Sequence, residues 1–186
     1  MKKPTFGFAF IFIFLLPFVV ATSTSAITPR LTPAPVVSII QPVDYPMPYP
    51  GILPDHPLYS LKMLRDKILD LIIKDPVKRI EFLLLMSDKR IAAGKMLIDG
   101  TKVSLGITTI SKGENYFERA VTESEQTKKQ GKNVNSQLDN LEKASQKHIE
   151  MLIELSSKVS GTTKPDFENL LSVAQKQYQK VLNLKR

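Results

Sequence analysis

"VNSQLDNLEKASQKHIEMLIELSSKV", residues 134 to 159, decides the fold. Val134, Leu138, Leu141, Ser145, His148, Leu152, Leu155 and Val159 recur at alternating steps of four and three. That is a heptad seam sustained over more than three repeats. "SGTTKPDF" then breaks it with Gly161 and Pro165, and Asp166 suits the first turn of a new helix. Phe167, Leu171, Ala174, Tyr178 and Val181 resume the same spacing in a helix predicted over 165–184. Two heptad helices joined by a short turn form an antiparallel hairpin. Such a hairpin either packs on the rest of a bundle or projects as an arm.

Upstream the period stays helical. A first helix is predicted over 58–74, with Leu58, Leu61, Leu64 or Arg65, Ile68, Leu71 and Ile72 as its core-facing stripe. A second starts where Asp75 can cap and Pro76 fits the first turn, and it ends near Gly100, a residue suited to a left-handed stop. "FLLLM", residues 82–86, is apolar all round and marks this helix as central. A third is predicted over 102–130, closed by Gly131. Its stripe carries Gly106 and Gly113, and the second helix carries Gly94 on its own stripe, so close backbone packing is expected. Nothing alternates with a period of two. The fold class is therefore all-α: about five helices, a three-helix part over 57–130 and a hairpin over 131–186.

The N-terminal part has another character. Lys2 and Lys3, the 16-residue apolar run Phe6–Ala21 and the small residues Thr22–Ala26 have the layout of a secretory signal peptide over 1–26. The run is short of the roughly 20 residues that cross a bilayer. Cleavage after Ala26 is expected, with an uncleaved membrane anchor as the alternative. Nine of the thirteen prolines lie between Pro29 and Pro57, so 27–56 reads as an extended spacer. A stalk is the expected role, although "VVSII" (36–40), Tyr45 and Tyr49 could lie along the folded part.

Composition narrows the chemistry. With no cysteine, thiolate catalysis, Cys-zinc sites and iron–sulfur ligation are excluded. Net charge is +8, or +6 without Lys2 and Lys3, which for an exported chain favours anionic envelope material over nucleic acid.

"PDHPLYSLKMLRDKI" (54–68), "DPVKRIEFLLLMSDKRIAAGKMLI" (75–98) and "SKGENYFERAV" (111–121) carry a family resemblance. With its Pro-rich entry, Leu58-Tyr59, Lys62 and a Leu-rich helix running into Arg90, the chain resembles the domain of unknown function 5667 family over about 53–150. The resemblance implies an exported or envelope-linked helical protein. It brings no catalytic or ligand residues, and the hairpin lies mostly outside it.

Candidate functional residues fall in three groups. The histidines come first. Asp55-His56 stands before Pro57 and reads as a helix start. His148 lies on the heptad seam and reads as a buried, hydrogen-bonded residue that can fix register. No metal-ligand spacing, nucleophile motif or phosphate loop accompanies them, so no enzyme, metal or cofactor is expected. Second are charges set in apolar helices: Lys62, Arg65, Asp66, Asp88, Arg90 and Glu114, with Glu118 as a further partner. They are expected to form a buried ion pair that sets helix register, or a polar recognition patch. Third are Lys128, Lys129 and Lys132 at one turn and Lys176, Lys180 and Lys185 on the last helix. These form two positive regions for an anionic polymer or lipid. The expected function is a non-enzymatic, exported module that binds an envelope protein. Binding an anionic polymer is the alternative, and self-association through 134–159 and 165–184 is a further expectation.

Overall fold

The computed structural model describes residues 42–186. The expected signal peptide and residues 27–41 of the spacer lie outside the described residues. Five helices follow one another: α1 (Tyr59–Ile72), α2 (Pro76–Asp99), α3 (Val103–Lys129), α4 (Asn135–Ser156) and α5 (Lys164–Lys185), with a 3-10 turn at Gly161–Thr163. The all-α architecture is as the periodicity predicts. Among the described residues no helix is long and apolar enough to cross a membrane.

α2 is central, as its apolar run implies. Asp75 caps it, its carboxylate accepting the Lys78 N–H at 2.9 Å, with Pro76 in the first turn. α2 and α3 pack backbone to backbone at their glycines. A Cβ on Gly94 would lie 2.8 Å from the Gly106 carbonyl oxygen, and one on Gly106 equally close to that of Gly94. A Cβ on Gly113 would meet the Ser87 carbonyl at 3.1 Å. The end of α2 differs from expectation. Gly100 has φ −84°, and the left-handed residue is Thr101 at φ 69°. Gly131 does take the left-handed conformation expected of it, φ 79°.

The hairpin packs on the bundle. All eight seam residues from Val134 to Val159 are buried, and in α5 Phe167, Ala174 and Val181 are buried while Leu171 and Tyr178 are half-buried. The core has two apolar halves. One gathers Ile80 to Met86 of α2, Phe117 to Val121 of α3, Leu138 to Ala144 of α4 and Val181 of α5. The other gathers Ile91 and Ile98, Ile107 and Ile110, Ile149 to Leu155, and Phe167 to Ala174. The seam is thus consumed inside one chain, which leaves only outer faces for any partner.

Two expectations are corrected. The first concerns α1. Its stripe does not face the core: Leu61, Leu64, Ile68, Leu71 and Ile72 are between 49% and 73% exposed, and the fully buried residue of the helix is Asp66. Partners for the opposite face, described below, outweigh the burial of the stripe. The second concerns residues 42–57, which are not a free-standing stalk. The Val43 N–H donates to Glu150 of α4 at 3.0 Å, and the Tyr45 hydroxyl donates to Asp88 of α2 at 2.6 Å. Lys62 of α1 donates to the Pro50 and Ile52 carbonyls at 2.6 and 3.1 Å. Asp55 accepts from Lys102 at 2.6 Å. Tyr45 packs on one core half and Met47 on the other. An extended proline-rich strand has unpaired carbonyls and little entropy to lose, so it docks as a strap where side chains meet those carbonyls.

Candidate functional site

Between the two apolar halves lies a polar layer. Each of the four long helices contributes one residue to it: Asp88 from α2, Glu114 from α3, His148 from α4 and Gln177 from α5. In each helix that residue falls between the stretches that feed the two halves. His148 Nε2 donates to Asp88 Oδ1 at 2.8 Å, and Tyr45 donates to the other Asp88 oxygen. The Gln177 amide donates to the Glu114 carbonyl at 3.2 Å. The Phe117 and His148 rings meet edge to face, with centroids 5.3 Å apart.

Asp88 accepts one hydrogen bond on each carboxyl oxygen, from His148 and from Tyr45. His148 therefore carries its proton on Nε2, and its Nδ1 faces Glu114 Oε1 at 3.8 Å. Neither of these two facing atoms has a hydrogen-bond partner. Burial pushes the Glu114 carboxyl well up from its ordinary value, the His148 charge works against that, and the Asp88 charge adds to it. Tyr45 is pushed far up by burial and by the neighbouring Asp88 charge, so it stays a donor. The Asp88–His148 and Gln177–Glu114 hydrogen bonds join the helices in pairs at one level, so a slip between partners would break them. Among the described residues, no three His, Asp or Glu side chains are placed to hold a metal ion.

The other predicted charges serve α1. On a helix advancing about 100° per residue, Tyr59, Lys62, Asp66 and Asp70 share one face. That face is turned inward. Asp66 meets Arg65 at 2.8 Å and the buried Arg90 at 3.7 Å. Arg90 also donates to the Tyr59 hydroxyl at 2.7 Å and lies 4.9 Å from the Tyr116 ring centroid. Asp70 meets Arg79 at 3.2 Å and Arg119 at 2.7 Å. So α1 is inside out, held by polar handles with its aliphatic face to solvent.

The structure divides the predicted group. Asp88 and Glu114 join His148 in the layer, while Asp66 and Arg90 meet under α1, with exposed Arg65 reaching Asp66 from the edge and Lys62 bonded to the strap carbonyls. Glu118 is exposed and pairs with neither. Tyr45, Asp70, Arg79, Tyr116 and Gln177 were not foreseen. The Asp66–Asp70 spacing was a usable signal, since it places two carboxylates on the face opposite the leucines. Asp55-His56 is a turn. Apart from the Asp55–Lys102 bond, its contact is local, with His56 Nδ1 accepting the Leu58 N–H at 3.1 Å.

Part of the two predicted lysine groups meets at one end of the bundle, where Lys128 of α3 donates to the Leu184 carbonyl of α5. Much of their charge is matched. Lys129 and Lys180 pair with Glu125, at 2.7 and 3.6 Å. Lys185 pairs with Asp139 at 2.6 Å and with Glu142, and together these carboxylates push it up to about 12. Lys132 and Lys176 are exposed, the latter beside a shallow groove between α3 and α5 lined by Glu118, Val121, Val173 and Gln177.

No curated protein and no solved structure matched the chain. One family model did, described as Domain of unknown function (DUF5667), over residues 51–180. The match begins in the strap and runs through α1 to α5, so it takes in the hairpin that the resemblance had left mostly outside. The end of the strap, inverted α1, the helical members of the polar layer and most of the hairpin thus lie within one matched unit, and the chain belongs to the DUF5667 family.

Proposed function

We propose that the chain is an exported, non-enzymatic docking module of the cell envelope, and that it docks through the outer face of α1. One observation carries this reading: a helix whose polar face is bound inward and whose stripe of five aliphatic residues, Leu61, Leu64, Ile68, Leu71 and Ile72, faces solvent. Burying part of such a face against a second surface is worth on the order of 5 kcal/mol before the costs of association. The N-terminal signal layout supports the location. The polar layer supports a rigid scaffold under the docking helix. The lysine end of the bundle is the weaker surface because Glu125, Asp139 and Glu142 neutralise much of it.

The test is co-sedimentation of the full-length protein with an envelope fraction, beside the variant Leu64→Glu/Ile68→Glu. Because both positions are exposed, the variant keeps the parental thermal midpoint. It is expected to lose most of the bound fraction. Equal sedimentation of the two proteins would overturn the proposal.

A further inference from the structure

We infer that the surface α1 docks to is an anionic lipid headgroup layer, an inference that rests on the docking role of α1. The pattern of charge around the apolar face is the argument. Taking the buried Asp66 as the inward direction, Leu64, Ile68, Leu61, Leu71 and Ile72 lie on the opposite side. Arg65 and Lys67 then fall about 100° to either side of that inward direction, one at each edge of the apolar face. Both are exposed, Arg65 with its guanidinium turned in to Asp66, as is Lys74 just past the helix end; Lys67 and Lys74 form no ion pair among the described residues. α1 contains two acidic residues, Asp66 and Asp70, and both are on the inner face, each met by two guanidinium groups. The helix therefore presents an aliphatic strip about 17 Å long with a cationic rim and no exposed carboxylate of its own.

That pattern suits a bilayer surface. The aliphatic strip enters at the boundary between headgroups and acyl chains, and the rim cations sit at phosphate depth, their stems lying along the apolar layer. A second copy of the same helix is a poorer occupant. Two such faces brought together would set rim cation against rim cation, with no carboxylate on the docking face to answer them. The inward hold on α1 also matters. The handles Asp66–Arg90 and Asp70–Arg119 fix the orientation of the helix before contact, so little ordering remains to be done on binding.

The absence of cysteine makes a site-specific test direct. A single cysteine is introduced as Leu64→Cys, or at the exposed α4 position as Ser136→Cys, in the full-length chain, and labelled with an environment-sensitive fluorophore. Each protein is mixed with vesicles of phosphatidylcholine alone or with one third phosphatidylglycerol. The apolar N-terminal segment is common to both proteins, so it cannot by itself produce a difference between the two labels. The expected result is entry of the position-64 label into an apolar, quencher-protected environment while the position-136 label stays in water. Apparent affinity should be about 10- to 100-fold higher on the anionic vesicles at low salt, and that margin should shrink steeply in 0.5 M salt. A position-64 label that stays in water on anionic vesicles overturns the lipid inference. So does a change in that label with protein concentration and no vesicles, which would identify a second copy as the occupant. The docking role survives either result if the envelope co-sedimentation still depends on Leu64 and Ile68, and it falls separately if that dependence is missing.

Discussion

Removing the Asp66 carboxylate tests how α1 is held. In Asp66→Ala the Arg90 guanidinium, almost fully buried, loses its nearest anion while α1 stays in place. Breaking such a buried pair from one side costs about 3–5 kcal/mol. The bundle need not bear that whole cost, because α1 is a peripheral helix with little apolar burial of its own. Once the cost exceeds the free energy that docks α1, the helix opens, water reaches Arg90 and the penalty disappears. The expected effect is therefore local. Amide exchange in α1 should accelerate by about 100- to 4,000-fold, unless the fully open limit is reached first. Exchange in α2 to α5 should change far less. A second variant, Asp66→Leu/Arg90→Met, removes both charges and should recover much of the lost α1 protection, since two matched apolar groups leave nothing unpaired. Hydrogen exchange resolved by peptide reads all three proteins. Unchanged α1 exchange in Asp66→Ala would refute the polar-handle reasoning. Uniform loss across all five helices would refute the peripheral character of α1.

Two further outcomes follow from the core. Gly94→Ala and Gly106→Ala each place a methyl against a facing backbone carbonyl, and about 1–3 kcal/mol of overpacking should exceed the roughly 1 kcal/mol of helix propensity gained. The double variant should cost clearly less than the sum in denaturant unfolding, because the first methyl already parts the helices; strict additivity would contradict the shared contact. For Glu114, the raised native value means the folded state holds its proton to higher pH than the unfolded chain does. Its contribution is most favourable below the ordinary glutamate range and is lost as pH rises through the native value. Glu114→Gln should therefore gain stability relative to the parent as pH rises above the ordinary glutamate range, and a difference that stays constant with pH would count against the assignment.

How much of this was legible depends on whether a feature is local. The α4 seam could be read because one spacing, from Val134 to Val159, fixes one face and the rest of the core fits against it. Gly94 and Gly106 were readable because glycine on a helix stripe has few other uses. α1 was misjudged because amphipathicity does not say which face turns inward. Leu61, Leu64 and Ile68 stand opposite Lys62, Asp66 and Asp70, and both faces are continuous. Arg79, Arg90 and Arg119 decide between them, and they lie on α2 and α3, beyond any local window. Asp88, Glu114 and His148 each appear in sequence as an interruption of an apolar stripe. Their meeting at one level depends on how α2, α3 and α4 are offset, which side-chain spacing within one helix cannot give. Tyr45 was weighed as a surface-lying aromatic, yet its partner Asp88 is 43 residues further on.

The strap has a mechanical consequence. Along the chain its bonds from Val43 to α4 and from Tyr45 to α2 come before its bond to α1, and before α1 itself. A pull applied from the N-terminal side is therefore taken first by Glu150 and Asp88, in the body of the bundle. Lys102, at the start of α3, holds Asp55 a few residues before α1 begins, and Arg79 of α2 grips the Asp70 and Ile73 carbonyls at its far end. α1 thus hangs between two fixed points with no tension passing through it. Load is shunted around α1, so a tethered copy of this protein would be dragged without tilting the face proposed to dock.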